Sequence, residues 1–186
     1  PQAVTFDISA ACSGFIFGLN VATQYLLSGF SKHVLVVASE IMTRTLNWKD
    51  RTTCILWGDG AGAAVLTRGG KGHEILSTHI HTDGASGKDL LLPGGGSRTT
   101  PISRESVDKG LHTLNMIEAN ASFRVAVRHF VDSIKEAVDH NGAKVEDVRW
   151  FIPHQANLRM FQSMARSLKL PMERFYVTLH KYGNIS

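Results

Sequence analysis

Cysteine, clustered charge and long apolar runs are all scarce in this sequence, and each shortage excludes a class of protein. Its 186 residues include two cysteines, Cys12 and Cys54. Two cysteines cannot build a disulfide framework or a four-cysteine metal site, and they predict a reducing, cytoplasmic setting. No apolar run approaches the roughly 18 residues of a membrane span. The first residues have the pattern of a strand, so we expect no signal peptide.

Charge is low and spread out. The formal net charge is +4, and 43% of residues are hydrophobic against 19% charged. Scattered lysines and arginines argue against a nucleic-acid surface, which needs its basic residues on one face. A modest basic patch for an acidic partner or a phosphorylated cofactor stays open. Length and composition indicate one large globular domain or a piece of a bigger protein.

Hydrophobic periodicity predicts an α/β chain. Apolar runs predict strands, period-3.6 stripes predict helices, and Gly29 and Gly142 suit helix ends. The first strand–helix–strand unit is typical of a parallel sheet covered on both faces, with its helix buried all round. The predicted strands are residues 4–8, 34–37, 63–67, 73–81 and 148–152, the predicted helices are 13–28, 118–140 and one from 158, and a long loop spans 82–112.

Cys12 lies where the first predicted strand passes into the first helix. Unpaired N–H groups and the helix dipole favour a negative charge there, so we expect a lowered thiol pKa and a nucleophilic thiolate. Gly14 permits a tight turn, which leaves N–H groups to receive an oxyanion. The alternative is that Cys12 is a small buried hydrophobic residue, the commoner role of a free cysteine.

Four motifs, taken in order along the chain, contain Cys12, His154 and Asn184. They are DISAACSGF (7–15), DRTTCILWGDGAGA (50–63), PHQANLR (153–159) and KYGN (181–184). In these motifs the chain resembles 3-oxoacyl-(acyl-carrier-protein) synthase III, the condensing enzyme that initiates type II fatty-acid synthesis. The resemblance covers nearly the whole chain apart from residues 82–112.

The resemblance implies a thiolase-like fold, layered αβαβα with mixed sheets, and a homodimer. It also implies that the chain is incomplete at both ends. Residues 1–68 would be the second part of the N-terminal half, which carries the nucleophile. Residues 69–186 would be the first part of the C-terminal half, which carries the histidine and the asparagine.

The implied chemistry assigns each of three residues a role. Cys12 would take an acyl group from a short acyl-CoA as a thioester. Malonyl-acyl-carrier protein would then lose carbon dioxide, while His154 as a neutral donor and Asn184 hold the enolate oxyanion. The carbanion would attack acyl-Cys12. No metal and no tightly bound cofactor would be needed.

The resemblance extends to residues around the substrates. Arg51 would face the adenine or phosphates of CoA, Asn157 the pantetheine arm, and Arg159 the acidic carrier protein. Each could instead be a solvated charge or a helix cap. Trp57 would lie near the acyl pocket, or be an ordinary core tryptophan. Ala119 stands where the family has glycine along the pantetheine channel, so it could narrow that channel.

Other motifs predict no chemistry. Gly58-x-Gly60-x-Gly62 precedes a strand rather than a helix and lacks the spacing of a dinucleotide site, and residues 69–72 lack that of a phosphate loop. His79 and His81 could share a strand face, but we expect no third metal ligand near them. Cys54 has a core pattern.

Two alternatives to the initiating enzyme stay open. One keeps the fold but changes the primer or acceptor, as in a secondary-metabolism condensing enzyme or an acyltransferase without decarboxylation. The other is an inactive fragment or a dimer partner.

Overall fold

The computed structural model describes residues 2–85, 87–96, 100–116 and 119–186, without the side chains of residues 119–122. Within these ranges the chain forms helices and two small antiparallel sheets, joined by turns and by longer irregular segments. In the described part no helix is long and apolar enough to cross a membrane. The helices are α1 (Gly14–Leu27), α2 (Arg104–Asp108), α3 (Ala119–His140), α4 (Leu158–Leu168) and α5 (Leu179–Tyr182), and the strands are β1 (His33–Ile41), β2 (Asp59–Thr67), β3 (Leu90–Leu91) and β4 (Asn115–Met116).

Helix α1 packs on one face of β1. The two come close at Gly18, where an added Cβ would lie 2.9 Å from a methyl carbon of Val36. The helix ends at Leu27, and Gly29, predicted to suit its C-terminal cap, follows with a left-handed φ of 75° that glycine adopts without strain. The expected burial all round is wrong, because Ile16 and Leu27 are 47% and 60% exposed.

The sheet that carries β1 is antiparallel over the described residues, and the parallel pairing predicted for the first strand does not form, because residues 4–8 are not a strand. β1 pairs with β2 along its whole length, from His33 opposite Thr67 to Ile41 opposite Asp59. Coverage of both faces is also wrong, since Leu35 is 62% exposed on the face away from α1.

Two predicted strands form no ladder. Residues 4–8 and 73–81 are all described, yet neither segment is paired as a strand. Their apolar patterns suit strands, but a strand requires a neighbour with which to exchange hydrogen bonds. Val4, Phe6 and Leu76 are accordingly exposed rather than packed.

The main core lies between α3 and α4. Phe161 and Met164 on α4 are both completely buried. Val131 of α3 and Phe175 belong to the same buried cluster. The strand predicted at residues 148–152 is reduced to a single bridge, in which Phe151 pairs with Phe175. That bridge anchors the segment leading to His154.

The predicted loop at residues 82–112 holds some regular structure. Helix α2 lies within it and begins at a capping box, in which Ser103 accepts from the Ser106 N–H and Ser106 accepts from the Ser103 N–H. Strand β3 also lies within the predicted loop, and it pairs with β4, which lies just beyond it. The capping box explains why so short a helix begins where it does.

Candidate active site

Cys12 lies on a single 3₁₀ turn, Ala11–Ser13, immediately before α1. Ala11 has a φ of 46°, a left-handed conformation that is uncommon for a residue with a Cβ. The turn closes with a 3.1 Å hydrogen bond from the Ser13 N–H to the Ala10 carbonyl. The thiol is therefore presented at the junction that the sequence indicated, on a backbone with a strained residue beside it.

Burial raises the pKa of the Cys12 thiol above its ordinary value, and the negative charge of Glu40 raises it further. A hydrogen bond from Ser186 lowers it, but by less than burial raises it. The expectation of a lowered pKa is thus wrong. Loss of solvent around the thiolate outweighs the hydrogen bonds that favour it, from Ser186 and from the backbone at Cys12.

Asn184 is buried and held through its backbone and its side chain. Its N–H donates to the Leu56 carbonyl and its own carbonyl accepts from the Gly58 N–H, both at 2.9 Å. Its Oδ1 atom accepts from the Ser186 N–H at 3.0 Å. Since Oδ1 is thereby assigned as the acceptor, the Nδ2 group is left to donate.

Ser186 connects Asn184 to Cys12. The Ser186 Oγ atom lies 3.9 Å from the Cys12 Sγ atom, while the Ser186 N–H holds the Asn184 amide. Two of the three residues named from the sequence are therefore brought to one place. Ser186 itself was missed, and its sequence context offers no signal that could have identified it.

His154 lies in the segment between Phe151 and α4. Gln155 fixes this segment, because its Nε2 donates to the Pro153 and Tyr176 carbonyls and its Oε1 accepts from the Thr178 N–H. Burial lowers the pKa of His154 below its ordinary value. Over the described ranges no hydrogen bond joins the imidazole to Cys12 or Asn184.

Asn157 is the N-cap of α4. Its Oδ1 accepts from the Met160 N–H at 3.1 Å, and its backbone is extended as an N-cap requires. The structure thus shows the helix-cap alternative for this residue. Its Nδ2 group is not used by the cap, so contact with a pantetheine arm stays a prediction.

The other substrate-binding candidates have different surroundings. Arg51 and Arg159 are exposed, the first in a turn and the second in the first turn of α4. Trp57 is half-buried and pairs with Asn184 through its backbone, and its indole N–H is buried with no partner among the described residues. The side chain of Ala119 lies outside the described residues.

Two histidines for which the sequence predicted no chemistry contact the same carboxylate. Glu136 of α3 contacts His81 Nε2 at 2.7 Å and His79 Nδ1 at 3.2 Å. In the part of the chain that the structure covers, no group of three or more acidic, cysteine or histidine residues could hold a metal ion. Cys54 is half-buried rather than a core residue.

Sequence comparison places the two halves of this site in one family. Residues 6–84 match the family model of 3-oxoacyl-(acyl-carrier-protein) synthase III, and residues 138–186 match the model of its C-terminal part. The chain belongs to the synthase III family. The first match contains Cys12, and the second contains His154 and Asn184.

Individual relatives agree with the family match. The chain is 45% identical over 185 residues to beta-ketoacyl-(acyl-carrier-protein) synthase III of Caldanaerobacter subterraneus subsp. tengcongensis, covering 100% of this chain and 55% of the relative. It is 44% identical over 186 residues to the synthase III of Clostridioides difficile, covering 100% of this chain and 56% of the relative. The chain thus spans about half the length of the curated relatives it matches.

A solved synthase III structure has the same fold. The crystal structure from Aquifex aeolicus VF5 superimposes on 100% of this chain and 55% of its own, with a TM-score of 0.86 and 36% identity. This confirms the thiolase-like α/β fold class that the motifs predicted. The antiparallel β1–β2 pair and the helices around it are therefore a portion of that larger fold.

Proposed function

We propose that the protein is a condensing enzyme that joins an acyl group from acyl-CoA to malonyl-acyl-carrier protein. The observation that carries the proposal is the contact of Cys12, in one family match, with Ser186 in the other, whose N–H also holds the Asn184 side chain. A nucleophilic thiol beside an oriented amide donor suits acyl transfer followed by stabilisation of an oxyanion.

In the first step Cys12 attacks the thioester. The thiolate forms a bond to the acyl carbonyl carbon, the bond from that carbon to the CoA sulfur breaks, and CoA leaves as a thiolate. Because burial raises the pKa of Cys12, a smaller fraction of the thiol is ionised at neutral pH than in a solvent-exposed cysteine. The Ser186 contact favours the thiolate and offsets part of this effect.

In the second step malonyl-acyl-carrier protein loses carbon dioxide. The electrons of the broken carbon–carbon bond form an enolate, whose oxygen requires hydrogen-bond donors. The Asn184 Nδ2 group is one donor, since Oδ1 is engaged by Ser186. His154 is the second, and burial lowers its pKa so that it acts as a neutral donor. The enolate carbon then attacks acyl-Cys12 and releases the Cys12 thiolate.

The exposure of the candidate side chains indicates which of them are available to contact the substrates. Arg51 and Arg159 are exposed cations that could reach CoA phosphates and an acidic carrier protein. Trp57 would border the acyl pocket beside Asn184. We further propose that the enzyme acts as a homodimer and in the cytoplasm, where the free thiols of Cys12 and Cys54 would stay reduced.

The mass of the intact protein after incubation with acyl-CoA tests the proposal. We expect an acyl adduct on the native polypeptide that carries this sequence and none on its Cys12→Ala variant, whereas Cys54→Ala is acylated normally. A panel of acetyl, branched and longer acyl-CoAs then identifies the primer. Equal adducts on wild type and Cys12→Ala, or none with any acyl-CoA, contradict the proposal.

A further inference from the structure

The segment just before β2, residues 56–58, is hydrogen-bonded to the backbone of Asn184. The Leu56 carbonyl accepts from the Asn184 N–H and the Gly58 N–H donates to the Asn184 carbonyl, so both main-chain polar groups of Asn184 are used. These bonds make a parallel bridge between Trp57 and Asn184. These bonds fix how closely the Asn184 backbone lies to residues 56–58, and they thereby set the position of the Asn184 side chain.

Gly58 leaves no room for a side chain in this pairing. An added Cβ would lie 2.0 Å from the carbonyl oxygen of Tyr182 and 3.1 Å from its carbonyl carbon. Gly60 is less crowded, because its Cβ would meet only side-chain atoms of Ile185, the nearest at 3.1 Å. Gly62, two residues further along β2, has nothing within 4 Å.

The opposite side of the β2 start is fixed. Asp59 accepts from the Thr43 N–H at 2.9 Å and from the Thr43 hydroxyl at 2.6 Å, and these bonds hold the pKa of Asp59 below its usual range. A side chain at position 58 must therefore displace the segment around Tyr182 and Asn184 more than β2 itself.

We propose that Gly58 and Gly60 are positioning residues for Asn184. The absence of their side chains lets residues 182–185 lie against the start of β2 and so directs the Asn184 amide into the site. This assigns a purpose to the Gly58-x-Gly60-x-Gly62 pattern, of which only the first two glycines make a close approach. The inference rests on the proposed function, because it concerns the step that Asn184 serves.

The test compares the same substitution at three positions in the native polypeptide that carries this sequence. Gly58→Ala and Gly60→Ala are the test variants, and Gly62→Ala is the matched control in open space. Two readouts are taken: acylation of Cys12 by acyl-CoA, and release of carbon dioxide from malonyl-acyl-carrier protein. Thermal melting reports whether each variant folds.

A selective loss is expected. Gly58→Ala slows carbon dioxide release on the order of 100-fold relative to Gly62→Ala, as displacement of a catalytic group by about 1 Å can do, while acylation of Cys12 falls far less, because that step does not use the Asn184 amide. Gly60→Ala gives a smaller selective loss, because the Ile185 side chain can move. If Gly58→Ala does not fold, Gly60→Ala decides the test by the same comparison.

Two results overturn the inference. One is carbon dioxide release at the rate of Gly62→Ala in the folded test variants. The other is an equal fall of acylation and carbon dioxide release, which shows a merely structural role. A wild-type protein that neither takes up acyl groups nor releases carbon dioxide contradicts the proposed function instead, and is recognised before any variant is compared.

Discussion

The Sγ atom of Cys12 lies 3.9 Å from the Oγ atom of Ser186, although 174 positions separate the two residues in sequence. The same serine holds the side-chain amide of Asn184 through its N–H. This contact joins the proposed nucleophile to the proposed oxyanion donor. It also makes the state of the thiol depend on a residue that is distant in sequence.

The Cys12 thiol is predicted to titrate above the ordinary cysteine value. Burial is the main cause, and the Ser186 contact opposes it. The rate of alkylation by iodoacetamide, measured against pH in a Cys54→Ala background, should therefore reach half its maximum above that value. Ser186→Ala should move the midpoint higher still. A midpoint below the ordinary value would mean that the helix terminus outweighs burial.

His154 is predicted to stay neutral into mildly acidic solution. Burial lowers its pKa, so its NMR titration should have a midpoint below about 6.5, the ordinary histidine value. Because the unfolded chain takes up this proton first, the stability due to the neutral imidazole is present above the ordinary pKa and is lost as pH falls. A His154 midpoint at or above about 6.5 would contradict the proposed neutral donor.

Asn157 is predicted to stabilise α4 and to bind substrate through different atoms. Asn157→Ala removes the Oδ1 contact with the Met160 N–H and should cost about 0.5–2 kcal/mol of unfolding free energy. Asn157→Asp keeps that acceptor but loses the Nδ2 donor. It should therefore melt like wild type and show a raised KM for acyl-CoA. An unchanged KM in Asn157→Asp would limit Asn157 to its role as a cap.

Glu136 is predicted to tie residues 79–81 to α3 in a pH-dependent way. Hydrogen bonds from His81 first and His79 second lower the pKa of Glu136. A lowered carboxyl pKa adds stability above the unfolded value of about 4.3, and that stability is lost as pH falls through the folded value. Glu136→Gln should lower Tm near neutral pH and weaken its acid dependence.

Asp132→Asn serves as the control for Glu136→Gln. Asp132 is an exposed carboxyl on the same helix and forms no ion pair over the described ranges. If the two variants have the same Tm profile against pH, the contact between Glu136 and the histidines contributes nothing measurable.

Local sequence patterns predicted the helices well. These patterns are local: α4 has an apolar stripe along one face that ends at Leu168, and a glycine follows each of α1 and α3. The backbone hydrogen bonds of a helix are also local, so such patterns are enough to predict it. The strands predicted at residues 4–8 and 73–81 did not form, and the reason is the opposite one. Their patterns suit strands, but only a paired neighbour makes a strand, and nothing local specifies that neighbour.

The candidate site shows the same difference between local patterns, which the sequence reveals, and long-range contacts, which it does not. Motif order indicated Cys12, His154 and Asn184, since each motif is a short local signal. The contacts of Ser186 with Cys12 and of Glu136 with His79 join residues far apart in sequence, so no local pattern could reveal them. The Cys12 pKa was mispredicted because burial depends on the folded surroundings, whereas the helix terminus is visible in the sequence.

The central claim is that Cys12 and Asn184 serve successive steps of one condensation. The most direct test is the rate of carbon dioxide release from malonyl-acyl-carrier protein by an Asn184→Ala variant whose Cys12 acylation is followed by intact mass. We predict normal acylation and a loss of carbon dioxide release of about 100- to 1,000-fold, the effect of removing one oxyanion donor. Undiminished carbon dioxide release in a normally acylated Asn184→Ala protein would contradict the account.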